Sequence, residues 1–400
     1  MYDLLKGLTV IEGAAFIAAP SCGLYLAQMG ARVIRFDQIG GGPDAGRWPI
    51  GGNGQSLYWE GLNKGKKSIA IDLSRAQGRA IAQQVATAGD GVFVTNFPAE
   101  GFLSYEKLSA LRSDLICLRV MGWADGSPAV DYTINAAVGI PAMTGPADDP
   151  RPVNHVLPAW DLLAGAYGAF ALLAALRDRD ATGRGREVRL ALSDLAATSL
   201  GNLGQVAEVL VGEGDRGKNG NDLFGAFGRD FQTSDGQRIM IVAITARQWT
   251  GLVEALNIQA EIAKLEAEIG ASFARDESAR VTHRARINRL METAVGMRLL
   301  HDLAAAFQVS GVTWSVYRTV GEAVRNEPRL FEENPIFSYV THAGGQAYPT
   351  PGAPARLPSD AREQAVPAPL IGQDTDEILG DLLGLSRGEI GRLRDEGVVG

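Results

Sequence analysis

Short apolar runs recur along the first half of the chain, each followed by a stretch with helical spacing. Leu8–Glu12 (LTVIE) is such a run and ends at a glycine. Pro20–Met29 has the spacing of a helix, and Gly30 stands where a helix C-cap belongs. Ala31–Asp37 (ARVIRFD) predicts the next strand. Strand, helix and strand in close succession form a βαβ unit, which requires a parallel sheet. The pattern returns with strands at Ser68–Leu73, Gly91–Thr95 and Leu115–Val120 and a helix at Gln77–Ala88. Such alternation predicts an α/β fold with a doubly wound, Rossmann-like lobe.

After Pro158 an apolar helix runs through Leu176, with Arg177 and Arg179 at its end, where cations suit the helix dipole. Its apolar stretch, Leu162 to Leu176, predicts a core helix too short to span a bilayer. Ala181–Glu187 (ATGRGRE) reads as a turn, and Val188–Leu200 as a strand entering a helix. Gly212–Gly220 (GEGDRGKNG) has the glycine and charge of a lobe boundary. Beyond it, Arg238–Ile244 predicts a strand and Gln248 to Phe307 a set of helices. Gly344–Pro369 is rich in proline and glycine and predicts an extended wrap over a surface. Asp374–Leu383 and Arg387–Glu396 form an amphipathic helix pair.

Composition narrows the class. The 400 residues are 46% hydrophobic and 21% charged, as in a globular enzyme, and the net charge of -8 argues against broad nucleic-acid binding. With only Cys22 and Cys117, neither a disulfide framework nor a cysteine-rich metal site is expected. His155, His283, His301 and His342 have no metal-binding spacing, so no metal is expected. The first residues lack the basic start and apolar run of a signal peptide, and the expected compartment is the cytoplasm, with no membrane partner.

Three places invite chemistry. Asp37 ends a strand where an acid would hold a ribose, but Gly13-Ala14-Ala15-Phe16 lacks the G-x-G-x-x-G platform, so no nicotinamide cofactor is expected. Lys64, Lys66 and Lys67 surround Gly65 at a strand start, with Arg35 on the neighbouring strand. They read either as a phosphate site or as a solvated turn. Asn96 and Phe97 follow a strand end, where ligand crevices of α/β folds lie. Asp161 opens the apolar helix. Spacing alone favours a helix cap there. A carboxylate kept ionised by the dipole would also be a nucleophile for a thioester. The small Gly165, Ala166, Gly168 and Ala169 would let another backbone approach.

Taken together, these segments resemble the class III coenzyme A transferases. LKGLTVIEGAAFIAAPSCGLYLAQMGARVIRFD is similar to the opening of that family, GLNKGKKSIAID to its lysine-bearing segment, and DLLAGAYGAFALLAALRDRDATGRGREVRLALSD to its catalytic helix and following strand. The resemblance implies Asp161 as the catalytic aspartate and Arg35, Lys64, Lys66, Asn96 and Phe97 as contacts to coenzyme A, which arrives as part of an acyl-CoA substrate. It implies a large Rossmann-like domain (1–212), a smaller α+β domain (213–330), a C-terminal segment returning to the large one (331–400) and an interlocked homodimer. Two departures stand out. Phe224–Phe231 (FGAFGRDF) takes the place of a flexible glycine run, and Gly372-Gln373-Asp374-Thr375 the place of Gly-Glu-His-Thr.

IGGGPDAGRWP, TNFPAEGFLSYEKL, VDYTINAAVGIPAMTGP, VNHVLPAWD and GAFGRDF resemble a subgroup that moves CoA between the two carboxylates of one branched unsaturated diacid. Such internal transfer needs the released diacid to stay bound. Phe227, with Phe224, is expected to slow its escape or else to pack in a core. Arg229 is expected to grip its free carboxylate or else to pair with Asp230 or another acid. His155 reads as a structural histidine. Alternatives are transfer between molecules, an α-methylacyl-CoA racemase, disfavoured because Val130 takes the histidine position in Ala129-Val130-Asp131-Tyr132, and a CoA-binding module without catalysis.

Overall fold

The computed structural model describes residues 1–212 and 214–400. Glu213, where the small domain was expected to begin, lies outside the described residues. The first elements are β1 (Thr9–Gly13), α1 (Ala18–Gln28), β2 (Arg32–Asp37), α2 (Leu57–Asn63), β3 (Lys67–Ala70), α3 (Ala76–Thr87), β4 (Val92–Thr95) and α4 (Tyr105–Leu111). They continue with β5 (Ile116–Met121), α5 (Asp131–Ala137), α6 (Ile140–Met143), α7 (Ala159–Thr182), β6 (Arg186–Ala191), α8 (Leu192–Asn202) and α9 (Gln205–Val211). Next come β7 (Phe227–Gln232), β8 (Arg238–Ala243), α10 (Ala246–Leu256), α11 (Gln259–Ile269), α12 (Glu277–Thr282), α13 (Arg284–Gly296), α14 (Leu300–Ser310) and β9 (Thr313–Val316). The chain ends with α15 (Val320–Asn326), β10 (Phe337–Thr341), β11 (Ala347–Pro351), α16 (Thr375–Leu383) and α17 (Arg387–Asp395).

Two compact units result. One comprises Met1–Val138, His155–Gly214 and Arg329–Gly400; the other comprises Gly139–Asn154 and Asp215–Pro328. Gly139–Asn154, which the sequence assigned to the large domain, groups with the second unit.

The first unit is built on a six-stranded parallel sheet in the order β3-β2-β1-β4-β5-β6. The order reverses between β1 and β4, so the crevice at their carboxyl ends is the topological switch point where α/β sheets bind ligands. The strands are covered on both faces, which explains their unbroken apolar runs: Ile11, Ile34, Phe36, Ile69, Phe93 and Cys117 are fully buried. Cys22 and Cys117 are both free, buried thiols. The C-terminal helices close one side of this core with Ile378, Leu379 and Ile390. The last strand-like residues pair back as well, Val398 O accepting from Asp72 N–H at 2.9 Å. The proline-rich stretch is tied down by Trp59 Nε1, which donates to Pro369 O at 2.9 Å.

Helix α7 corrects the sequence reading. It runs for 24 residues, and its length and apolarity suffice to cross a membrane, although a core helix passes the same test. It continues past Arg177 to a cap at Gly183, at φ 69, with Arg179 in its last turn as the dipole argument expected. The close approach expected at its small residues is real. A Cβ on Gly165 would lie 2.6 Å from Ser21 Cβ, and one on Gly168 would lie 3.1 Å from Leu118 and 3.6 Å from the Cys22 sulfur. Leu163, Tyr167, Phe170 and Leu173 remain exposed.

The second unit is α+β. Its antiparallel sheet β7-β8-β9 packs with α10 to α14 around Trp249, Phe273, Met291 and Phe307. Helix α10 opens with a capping box in which Thr245 and Gln248 satisfy each other's backbone N–H groups.

Candidate active site

Asp161 is the third residue of α7, in its first turn. The capping role expected for it belongs to another residue. Asp131, at the start of α5, lends its Oδ2 to the N–H groups of Trp160 at 2.7 Å and Asp161 at 3.2 Å. Those are the donors that a cap normally satisfies. The Asp131 Oδ1 is held by His155 Nε2 at 2.8 Å, and the His155 ring stands edge-on to Tyr132 at 5.8 Å. Asp131 is 1% exposed. With the cap supplied from elsewhere, the Asp161 carboxylate has no hydrogen-bond partner among the described residues.

The electrostatics differ from the expectation of a dipole-stabilised anion. Burial first, and the Asp131 charge second, push the Asp161 carboxyl up from its ordinary 3.8 to about 6. It is therefore ionised at neutral pH, but poorly solvated and more basic than a free aspartate, which makes it the better nucleophile.

A cavity of about 440 Å³ opens at the carboxyl ends of β1, β2 and β4. Ala14, Asp37, Gln38, Leu73, Phe97 and Phe102 line it. Its position is the switch point of the sheet, and Phe97 lines it, whereas Asn96 does not. The Asn96 carboxamide is turned to the β1–α1 turn: it accepts from Ala15 N–H at 3.1 Å and donates to Ala15 O at 2.8 Å. The loop after β4 is held from below by Arg119, which donates to Phe97 O at 2.7 Å, Pro98 O at 2.9 Å and Leu103 O at 2.9 Å.

The basic residues are placed differently from the sequence reading. Arg35 is 1% exposed and bonds Asp37 (2.8 and 2.9 Å), Asp44 (2.8 Å) and Asn63 (3.2 Å), with its guanidinium 4.5 Å from the Trp59 ring centroid. Lys66 is buried and donates to both Glu12 oxygens, to Pro20 O and to Asn63 Oδ1, all at 2.9–3.0 Å. Burial pushes Glu12 up and Lys66 down, and their contact opposes both shifts. Both cations are buried and already paired with acids. The reason is the parallel sheet itself: positions alternating along β2 and beside β3 face an interior that demands paired charges. Lys64 is also buried, donating to Gly61 O at 2.6 Å; burial first and Lys66 second bring its ammonium down to about 8.

In the second unit, Phe227 is 3% exposed, stacked on Phe231 at 6.3 Å and edge-on to Trp249 at 5.4 Å. Its ring is core, whereas Phe224 is 53% exposed. Arg229 lies 3.5 Å from Asp222 and 3.4 Å from Glu292, and Asp230 pairs with Arg238 instead. Sequence reasoning missed Asp131, Glu12 and Asp44, because their partners are remote in sequence and no motif spacing marks them.

An unpartnered aspartate and a switch-point cavity accompany a clear likeness. The model of CoA-transferase family III matches residues 5–375. The chain belongs to CoA-transferase family III. Among relatives in this family, the 2-methylfumaryl-CoA isomerase of Chloroflexus aurantiacus is 46% identical, with 100% of this chain and 98% of the relative covered. Succinyl-CoA–D-citramalate CoA-transferase of the same organism is 28% identical over 99% of this chain and 98% of the relative. A CaiB/BaiF family protein from Brucella suis superposes with a TM-score of 0.75 at 25% identity, covering 94% of this chain and 98% of that one.

Proposed function

We propose that the protein isomerises 2-methylfumaryl-CoA, moving coenzyme A from the C1 to the C4 carboxylate through Asp161. The observation that carries this reading is the uncapped Asp161 carboxylate, left without a protein partner because Asp131 caps α7. The full-length likeness to 2-methylfumaryl-CoA isomerase supports the substrate. Val130, where a racemase would need its histidine, weighs against proton transfer at an α-carbon.

The Asp161 carboxylate attacks the C1 thioester carbonyl; the C–S bond breaks, giving a mixed anhydride and CoA thiolate. The thiolate then attacks the Asp161 carbonyl of the anhydride, leaving an aspartyl thioester and the free diacid. The C4 carboxylate of the same diacid attacks that thioester and releases the thiolate again. Attack of the thiolate on the C4 carbonyl forms the product and restores Asp161. Backbone N–H groups near the helix starts stabilise each oxyanion. The nucleotide end of CoA lies in the cavity beside Phe97, whose walls are kept in place by Asn96, Arg119 and the buried Arg35–Asp37–Asp44 group.

The protein works as a homodimer in the cytoplasm. The apolar residues left open on α7 and α9, among them Phe170, Leu210 and Val211, support a covering partner copy.

Hydroxylamine trapping during turnover, read by mass spectrometry, tests the mechanism: a hydroxamate is expected at Asp161 and at no other residue. Full turnover by Asp161→Ala protein would falsify the covalent route. Labelled free 2-methylfumarate in the assay is expected to stay out of the product; its entry would instead establish transfer between molecules.

A further inference from the structure

Arg47 and Tyr58 carry a cation and a hydroxyl that no protein group satisfies. Arg47 is exposed, and its guanidinium carbon lies 5.5 Å from the Phe16 ring centroid and 5.4 Å from that of Tyr58. No carboxylate pairs with it among the described residues. The Tyr58 hydroxyl oxygen is shut off from solvent and has no hydrogen-bond partner among the described residues. Leaving such a donor orphaned costs about 1–3 kcal/mol, so its retention points to a partner that arrives from outside.

The two rings are held deliberately. Phe16 has φ 70, a conformation uncommon for a bulky residue. It is kept there by Asp44 Oδ2, which accepts from Phe16 N–H at 3.1 Å, and by the Asn96 clamp on Ala15. The same Asp44 binds Arg35, so the buried ion network sets the position of the Phe16 ring against which Arg47 lies.

This group stands at the same end of the fold as Asp161. Helices α1 and α7 run side by side, Gly165 meeting Ala18, Ser21 and Cys22 and Gly168 meeting Cys22, and in one direction, because α1 returns between the parallel strands β1 and β2 and α7 between the parallel strands β5 and β6. Asp161 precedes Gly165 by one turn, about 6 Å, and Phe16 stands just before Ile17, the N-cap of α1. Helix α2, which carries Tyr58, packs on α1. The Tyr58 hydroxyl registers the neighbourhood: burial, opposed next by Arg47 and helped less by the Asp44 and Asp161 charges, raises it to about 12, so it stays a donor throughout the working range.

We infer that Arg47 and Tyr58 form the receptor for the free carboxylate of a dicarboxylic acyl-CoA, facing the thioester that Asp161 attacks. The inference rests on the reading of Asp161 as the nucleophile. One carboxylate satisfies both groups at once, taking paired N–H donors from Arg47 and the O–H of Tyr58. A monocarboxylic acyl chain leaves both unsatisfied, which makes the pair a filter for diacids. The same contacts retain the released diacid, because whichever end is not bonded to Asp161 or CoA occupies the receptor. Arg229 does not offer this service, since Asp222 and Glu292 already flank its guanidinium.

The test uses the full-length protein and compares wild type with Arg47→Gln, Arg47→Lys and Tyr58→Phe. The rate of the hydroxylamine-trapped Asp161 adduct is measured with 2-methylfumaryl-CoA and with an acyl-CoA of the same chain in which a methyl replaces the free carboxylate. The preference for the diacid is expected to fall about 10- to 100-fold in Arg47→Gln, less in Arg47→Lys, and about 10-fold in Tyr58→Phe. Labelled free 2-methylfumarate is expected to enter the product with Arg47→Gln, where the diacid escapes. A preference within about twofold of wild type in Arg47→Lys and Tyr58→Phe overturns the receptor, even if Arg47→Gln fails to fold. Absence of any Asp161 adduct in the wild type, with either thioester, overturns the nucleophile reading on which the receptor rests.

Discussion

Glu12, Lys66, Arg35, Asp37 and Asp44 are buried under the β1–α1 turn with every charge facing an opposite one, whereas Asp131 and Asp161 set two like charges together and Tyr58 and Arg47 lack partners. Both groups belong to the first unit and both contain buried acids. In the first, three carboxylates meet two cations at 2.8–3.7 Å, so its chemistry is complete and its work is structural. In the second, deficits are left standing, and it is these that support the proposed chemistry. A functional site is thus marked less by the presence of charge than by charge that the fold has declined to neutralise.

The sharpest test of this contrast is Asp161→Asn. Turnover is expected to fall by at least about 10⁴-fold, while thermal stability at pH 8 rises on the order of 2 kcal/mol. The sign follows from the raised acid: the fold binds this proton more tightly than the unfolded chain does, so the wild type loses stability as pH rises from about 4 to about 6. Asparagine has no such loss. Melting curves at pH 4 and pH 8 check it, and a variant less stable than wild type at pH 8 would break the comparison.

In the closed group, Lys66→Met leaves Glu12 buried without its main partner. A loss of about 3–5 kcal/mol in urea unfolding is expected. A loss under about 1 kcal/mol would mean that the network is not the scaffold described above.

Asp131→Asn keeps an acceptor for the α7 N–H groups but removes the like charge. The acid limb of kcat/KM, set near pH 6 by ionisation of Asp161, is expected to move to lower pH without reaching 3.8, because burial is the larger cause. An unmoved limb would show that Asp131 acts only as a cap. Asp131→Ala removes the acceptor too and should cost a further ~1 kcal/mol.

The smallest effect is expected at Arg229. Its side chain is 35% exposed and flanked by two acids, so Arg229→Gln should change stability by less than about 1 kcal/mol and leave the diacid-over-monoacid preference in place. A large drop in that preference would move the carboxylate receptor from Arg47 to Arg229.

The apolar runs of β1 to β5 announced the parallel sheet because strands covered on both faces have little polar side to show. The helix-opening Asp161 and the strand-end Phe97 were legible for the same local reason: each is marked by its place in an element. Lys66 and Arg35 misled, since nothing in Asn63-Lys64-Gly65-Lys66 reveals that Glu12, far back in sequence, awaits one of its ammonium groups. Phe227 misled likewise: alternation along β7 buries its ring on Trp249, and the chain around it reads the same in or out of a core.

By itself the sequence determined the α/β class, the order of the main strands and helices, the small residues at which α1 meets α7, and the candidate nucleophile, because these depend on near-neighbour spacing. Tertiary structure alone decided which charges are spent and which are free. Asp131 reaches the start of α7 from another helix and takes over the cap, and burial beside it raises Asp161. Pairing and desolvation are set by groups distant along the chain, so no local pattern encodes them.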